Sequence, residues 1–160
     1  MHEKIIYHQI QYEMKIMIGC YLLVTKLDKD SEISIGKKNT LYFSQGYYVY
    51  VGSALNGLER RIHRHLCNNK KLFWNIDYLL CHARIVEVFY KENIKREECS
   101  IAKYLMDRFE SVPGFGCSDC SCKSHLFFGT YDEINKEIEA SGIKPYSINF
   151  KKCVIETIKL

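Results

Sequence analysis

Apolar positions along the chain change their period from one stretch to the next, and that change predicts the order of elements. Residues 16–25 are rich in branched and aromatic side chains and read as a buried strand. The turn LDKDSE follows, and then ISIGKKNTLYFSQG, which reads as short strand, turn and short strand. Residues 47–51 form the next strand, with Tyr48 and Tyr50 on one face and Tyr47, Val49 and Val51 on the other. At Gly52-Ser53-Ala54 the chain must turn, or Gly52 must let something approach its backbone, and the period then becomes helical. Leu58, Ile62 and Leu66 recur every four residues in a helix over 56–67, which Asn56 caps with Glu59 three residues on. Residues 73–80 are apolar without a clear period. Residues 83–90 alternate as a strand, 96–109 read as a helix, 112–124 as a Gly- and Cys-bearing loop, 125–130 as a strand and 132–140 as an acidic helix. Interspersed strands and helices with short early turns predict a small mixed α/β (α+β) domain around an antiparallel hairpin.

The chain has 160 residues, enough for one domain, and 47% of them are hydrophobic, which excludes disorder and collagen-like polymers. The expected division is a core over about 16–130, an N-terminal leader over 1–15 and a C-terminal extension over 131–160. The longest apolar run, residues 16–24, is too short to cross a bilayer and too internal for a signal peptide. The expected protein is cytoplasmic and makes no membrane contact, and its eight cysteines are reduced thiols, some of them free to hold metal.

Net charge is only +4, but Arg60, Arg61, Arg64, Lys70 and Lys71 fall in twelve residues without an acid. Such a patch fits a polyanion, and it equally fits a solvated helix face. Helical spacing puts Arg61 and His65 one turn apart beside the core stripe, with Arg60, His63 and Arg64 further toward solvent. The imidazole of His65 has two readings, a hydrogen bond at the core edge or a phosphate contact beside Arg61, and the surrounding cations favour the phosphate. Phe73 and Trp74 read as core, with base stacking as the lesser alternative. Asp77 reads as a helix cap, or as a second acid near the site.

On the later helix, Glu98 shares the core-facing stripe with Ala102, Leu105 and Phe109. A buried carboxylate needs compensation, from a cation partner, a metal ion or exposure at the rim. A hard cation such as Mg²⁺ takes oxygen ligands and keeps several waters. Cys117, Cys120, Cys122 and His125 lie within nine residues and could form a tetrahedral zinc set, although the C-x-C half is tight. The alternative is a compact loop of thiols, with Asp119, Ser124 and His125 lining a cleft.

These residues add up to a resemblance. Gly19-Cys20-Tyr21 on one strand, Tyr50-Val51-Gly52 on another, an arginine nine residues further and a glutamate on a later helix are similar to the GIY-YIG nuclease superfamily. The segments GYYVYVGSA, RIHRHL, KKLFWNIDYLL, EECSIAKYL and GFGCSDCSCKSHLFF resemble its small, single-domain Uri-type group over residues 19–128. The resemblance implies a three-stranded, largely antiparallel sheet flanked by helices, here with an extra C-terminal strand and helix. It implies hydrolysis of nucleic-acid phosphodiesters, DNA first, by an endonuclease of DNA processing or repair that depends on Mg²⁺ or Mn²⁺. By position, Tyr50 would be the general base or water-orienting hydroxyl, Tyr21 its neighbour, Arg61 the phosphate ligand and Glu98 the metal ligand. Arg60, Arg64, His65, Lys70 and Lys71 would contact the nucleic acid. The sequence departs from the pattern at Cys20, Ser53 and Asn75, and the late asparagine of many members has no counterpart that can be placed. A non-catalytic nucleic-acid-binding module of the same fold therefore stands as the alternative. A zinc-stabilised protein-interaction domain is a third reading.

Overall fold

Three nine-residue strands carry the architecture, and their register brings Tyr21 and Tyr50 to one end of the sheet. In the computed structural model, which describes residues 16–37 and 39–147, these are β1 (Gly19–Leu27), β4 (Gly46–Ala54) and β5 (Arg84–Glu92). The expected leader, the end of the expected extension and Cys153 lie outside the described residues. β1 is central and pairs antiparallel with both neighbours, with Gly19 opposite Ala54 on one side and Glu92 on the other. The start of β1 and the ends of β4 and β5 therefore meet at one end of the sheet.

The sheet is larger than the three strands expected. Its order is β6 (Glu110–Ser111), β7 (Leu126–Gly129), β4, β1, β5 and β8 (Lys144–Pro145), all antiparallel. β7 is the strand read over 125–130, and β6 and β8 have two residues each, too short to print an alternation on the sequence. β2 (Ser31–Ile35) and β3 (Asn39–Phe43) form the expected hairpin as a separate two-stranded sheet.

Alternation sorts the core into two layers. Tyr21, Leu23, Tyr48 and Tyr50 pack with Leu58 and Ile62 of α1 (Leu58–Leu66), with Ile76 and Leu79 of α2 (Asn75–Leu79), and with Ile33 and Phe43 of the hairpin. On the opposite face Leu22, Val24, Val49 and Val51 pack with Ala102 and Leu105 of α3 (Glu98–Met106) and Ile134 and Ile138 of α4 (Tyr131–Ser141). None of the described helices is long and apolar enough to cross a membrane.

Two local expectations are corrected. The chain does not turn at Gly52, because β4 continues to Ala54. Helix α1 is not capped by Asn56: its N-cap is Gly57 at φ 124°, with no side-chain cap bond, and the amide of Leu58 donates to the carbonyl of Met17 at 2.8 Å. The strand exit leaves little chain before the helix, and the positive φ that reverses it suits glycine. At the other end the ammonium of Lys70 donates to the carbonyls of His65 and Cys67 at 2.9 and 2.8 Å, closing the helix C-terminus.

Gly52 meets the other expectation, a close approach to its backbone. It faces Tyr21 across the β1–β4 register, and a Cβ there would lie 2.3 Å from both Cζ and the hydroxyl of the Tyr21 ring. That ring is 1% exposed and has nowhere to retreat. Gly52→Ala is expected to lower unfolding free energy by about 1–3 kcal/mol, the range for overpacking a filled site. Urea unfolding checks it, and an unchanged midpoint would contradict this account of the glycine.

Candidate functional site

At the convergent end of the sheet lies a cleft of about 390 Å³ whose lining includes Tyr21, Tyr50, Arg61, Glu98, Asp119 and His125. The four residues singled out by the resemblance thus come together from β1, β4, α1 and α3. Tyr21 and Tyr50 are neighbours, with ring centroids 6.3 Å apart. Burial pushes the Tyr21 hydroxyl well above its ordinary pKa, and Tyr50 adds to the shift while Arg61 opposes it. Burial also pushes Tyr50 up, again against Arg61, with Glu98 reinforcing the rise. Both hydroxyls are therefore protonated at neutral pH.

Arg61 is held by an aromatic shelf. Its Cζ lies 4.2 Å from the centroid of the Trp74 ring, and Cζ of Arg64 lies 4.3 Å from the same centroid. Stacking fixes the guanidinium plane while leaving its donors free to bind oxygens. Trp74 is half-buried, but Phe73, expected in the core, is 75% exposed at the cleft mouth. The apolar run 73–80 gave no period to tell these two apart. Asn75 and Ser53, at the positions where the sequence departs from the resemblance, also line the cleft, and the Ser53 hydroxyl has no hydrogen-bond partner.

Glu98 is buried on the α3 stripe as expected, at 6% exposed. Its compensation includes a cation: Nη2 of Arg96 donates to Oε1 at 2.7 Å and reaches Oδ2 of Asp119 at 3.5 Å. Arg96 is the residue that pattern reading missed. Its place two positions before a buried acid is the only signal it leaves.

The expected phosphate contacts divide. Arg60 and Lys71 are exposed. Arg64 is committed to Asp77, donating from Nη1 and Nη2 to its two oxygens at 2.9 Å each. Asp77 is fully buried and caps α2, accepting from the amides of Phe73 and Trp74 at 2.9 and 3.0 Å. Lys70 is committed to the carbonyls that end α1. Arg60, Arg61, Arg64 and Lys70 nevertheless line a second groove of about 550 Å³, which shares Arg61 and Trp74 with the cleft.

His65 is not a phosphate-facing cation. It is 3% exposed, and burial lowers its pKa to about 3 despite the opposing pull of Asp77. Nδ1 stands 4.0 Å from Oδ1 of Asp77, which favours the proton on that nitrogen. Nε2, 2.7 Å from the Tyr21 hydroxyl, then accepts from it. The imidazole is a neutral strut between helix and sheet.

The thiol loop is also rearranged. Four ligand atoms that could hold a metal ion lie within 4.8 Å of one another, and they belong to Cys99, Cys120, Cys122 and His125. Cys117, expected in the set, is outside it, and Cys99 of α3 takes the fourth place. Ser124 is buried and closes a turn with the backbone of Leu126.

The strut makes acid stability testable. An imidazole kept neutral in the fold, but protonated when unfolded, lets the unfolded chain bind more protons below pH 6.5. Stability from this group is full above that pH and falls as the pH drops toward about 3. Asp77, whose pKa is lowered because Arg64 and two amides outweigh its burial, adds loss only below the ordinary carboxylate range. The cations Lys70, Arg64 and Arg61 each oppose protonation of the imidazole. Between pH 6.5 and about 4 the loss should be about 3 kcal/mol, and His65→Gln should flatten the slope. Urea midpoints against pH measure it, and equal slopes in both proteins would refute the assignment.

No curated protein and no solved structure matches the chain significantly. Residues 20–144 match the profile of a family described as a domain of unknown function, DUF123, a span that takes in the cleft and the thiol cluster. The chain belongs to the DUF123 family.

Proposed function

We propose that the chain is a divalent-metal-dependent endonuclease of GIY-YIG type that hydrolyses nucleic-acid phosphodiesters, DNA in the first instance. The observation that carries this reading is the convergence of Tyr21, Tyr50, Arg61 and Glu98 from four chain elements on one cleft.

Magnitudes decide the roles. Neither tyrosine is a base at neutral pH, since burial holds both protonated. His65, with a pKa of about 3, accepts a hydrogen bond from Tyr21 but takes up a proton poorly. The Tyr21–His65 bond thus fixes a hydroxyl rather than relaying a proton. In this reading Tyr50 orients the attacking water, and Tyr21 holds its neighbour in place. Arg61, presented on Trp74, binds the phosphate oxygens and stabilises the charge they gain. Glu98 is the residue to hold Mg²⁺ or Mn²⁺: a single buried carboxylate beside hydroxyls suits a hard cation that keeps its waters. Such an ion, once bound, acidifies water and stabilises phosphate charge. Arg96 is 57% exposed on its side chain, so it is free to swing toward Asp119 or solvent once a bound cation takes over the compensation of the buried Glu98 carboxylate. The basic groove beyond Arg61 would carry the backbone away from the cleft, with Arg60 as its exposed cation.

The second reading, a nucleic-acid-binding module without catalysis, is favoured by the Arg96–Glu98 pair, which occupies the carboxylate that a metal would need. One experiment separates the two. Labelled single-stranded, duplex and branched DNA are incubated with the protein and Mg²⁺, Mn²⁺ or EDTA. Metal-dependent nicking is expected, reduced by about 10²–10³ in Glu98→Gln and in Arg61→Ala, the usual cost of losing a charge-stabilising group. Undiminished cutting by Glu98→Gln would remove the site assignment. Absence of cutting, together with binding that weakens steeply in salt, would establish the module instead.

A further inference from the structure

We infer that Cys99, Cys120, Cys122 and His125 form a structural zinc site that fastens the start of α3 to the loop between β6 and β7, and so sets where Glu98 stands in the cleft. The site does not depend on the nuclease reading, because its ligands and its mechanical role are independent of any reaction.

The donor geometry is close to what the ion requires. Zinc bonds of about 2.3 Å to sulfur and about 2.0 Å to nitrogen place tetrahedral ligand atoms roughly 3.5–3.8 Å apart. The four atoms lie within 4.8 Å of one another, and Sγ of Cys120 is already 3.4 Å from Nε2 of His125. The imidazole is oriented for the task. Its Nδ1 lies 3.2 Å from the carbonyl oxygen of Val51, which can only accept. Nδ1 therefore carries the proton, and Nε2 turns its lone pair toward the sulfurs. A ligating histidine held through its other nitrogen by a carbonyl is the usual outer support of a metal site. Three thiolates and one imidazole favour zinc over magnesium or calcium, and four protein ligands close the coordination shell, as structural sites do.

The mechanical need is visible as well. Residues 112–125 contain no helix or strand, and they enclose one side of the cleft. His125 anchors the end of this segment on β4, accepting from the amide of Val51 at 2.9 Å and donating to the carbonyl of Phe115 at 2.8 Å. No comparable backbone bond ties the loop to α3 among the described residues; the polar ties are the exposed Arg96–Asp119 contact and the thiols themselves. Cys99 directly follows Glu98 in the first turn of α3. An ion shared by Cys99 and His125 would therefore bind the helix bearing the acid to the strand bearing Tyr50.

The test uses the full chain expressed with zinc and purified without chelator, with Cys99→Ser and Cys117→Ser beside it. Metal analysis should find one zinc per wild-type chain. Cys117→Ser should keep it, whereas Cys99→Ser should bind zinc more than about tenfold more weakly in competition with a chelating dye, at least the loss caused by removing an outer support. A strong chelator should lower the wild-type melting temperature. Should Cys99→Ser fail to fold, cobalt exchanged into wild type gives the second readout, through the intense visible bands of a tetrahedral thiolate site. Zinc below about a tenth per chain, iron in its place, an intrachain disulfide among these cysteines, or zinc lost with Cys117→Ser but kept with Cys99→Ser would each overturn the assignment. One zinc per chain in a protein that cuts no DNA would support this site while the nuclease reading falls.

Discussion

The Tyr21 ring lying across Gly52 is the contact on which the site depends. Any side chain at position 52 would meet that ring at 2.3 Å, so the β1–β4 register and the glycine specify each other. A slip of one residue would exchange the two faces of β1 and take Tyr21 out of the cleft layer altogether. With the ring in place, its hydroxyl meets Nε2 of His65 at 2.7 Å and ties α1 to the sheet. Arg61 is one turn before His65 on the same flank, so the bond that fixes the histidine also aims the arginine. A single steric contact between strands thereby aligns a tyrosine, a histidine and a guanidinium.

Charge in the basic segment is then divided by what the fold must neutralise. Asp77 is fully buried, and an unpaired carboxylate there would cost several kcal/mol. Arg64 and two amides satisfy it, which removes one cation from the apparent patch. Lys70 answers the carbonyls at the end of α1, which removes a second. What is left for a polyanion is narrower than the sequence suggests: Arg60 and Lys71 in solvent, and Arg61 stacked on Trp74. Their value lies in placement, because Arg61 borders both the cleft and the groove.

Much of this was legible in the sequence wherever a period ran long enough. The strands read over 16–25 and 83–90, the Leu58–Ile62–Leu66 stripe and the acidic helix over 132–140 follow local rules that the structure obeys, whereas the strand read over 47–51 runs on to nine residues and Thr130, read as strand, caps the helix. The two-residue strands leave no period, so the sheet was underestimated. The Gly57 cap depends on the carbonyl of Met17, a partner supplied from a different part of the chain. Helical spacing put Arg61 and His65 on one flank correctly. It could not tell that the histidine would be taken by Tyr21, because that choice is made forty-four residues away. The same limit explains Cys117. Sequence neighbourhood nominated it, while the fold carried Cys99 into its place.

The cleft and the thiol cluster are mechanically one unit, because consecutive residues serve both. Glu98 lines the cleft while Cys99, some 100° round the helix, joins the thiols. Asp119 and Cys120 divide in the same way on the loop, and His125 borders the cleft while facing the thiols through Nε2. Between them stands Arg96, whose guanidinium is 2.7 Å from Glu98 and 3.5 Å from Asp119. Arg96, Glu98 and Asp119 all line the cleft, so one guanidinium links an acid of α3 to an acid of the loop that the thiols also join. A bond through the thiols of α3 and the loop would therefore hold this ion-pair geometry without touching anything bound in the cleft.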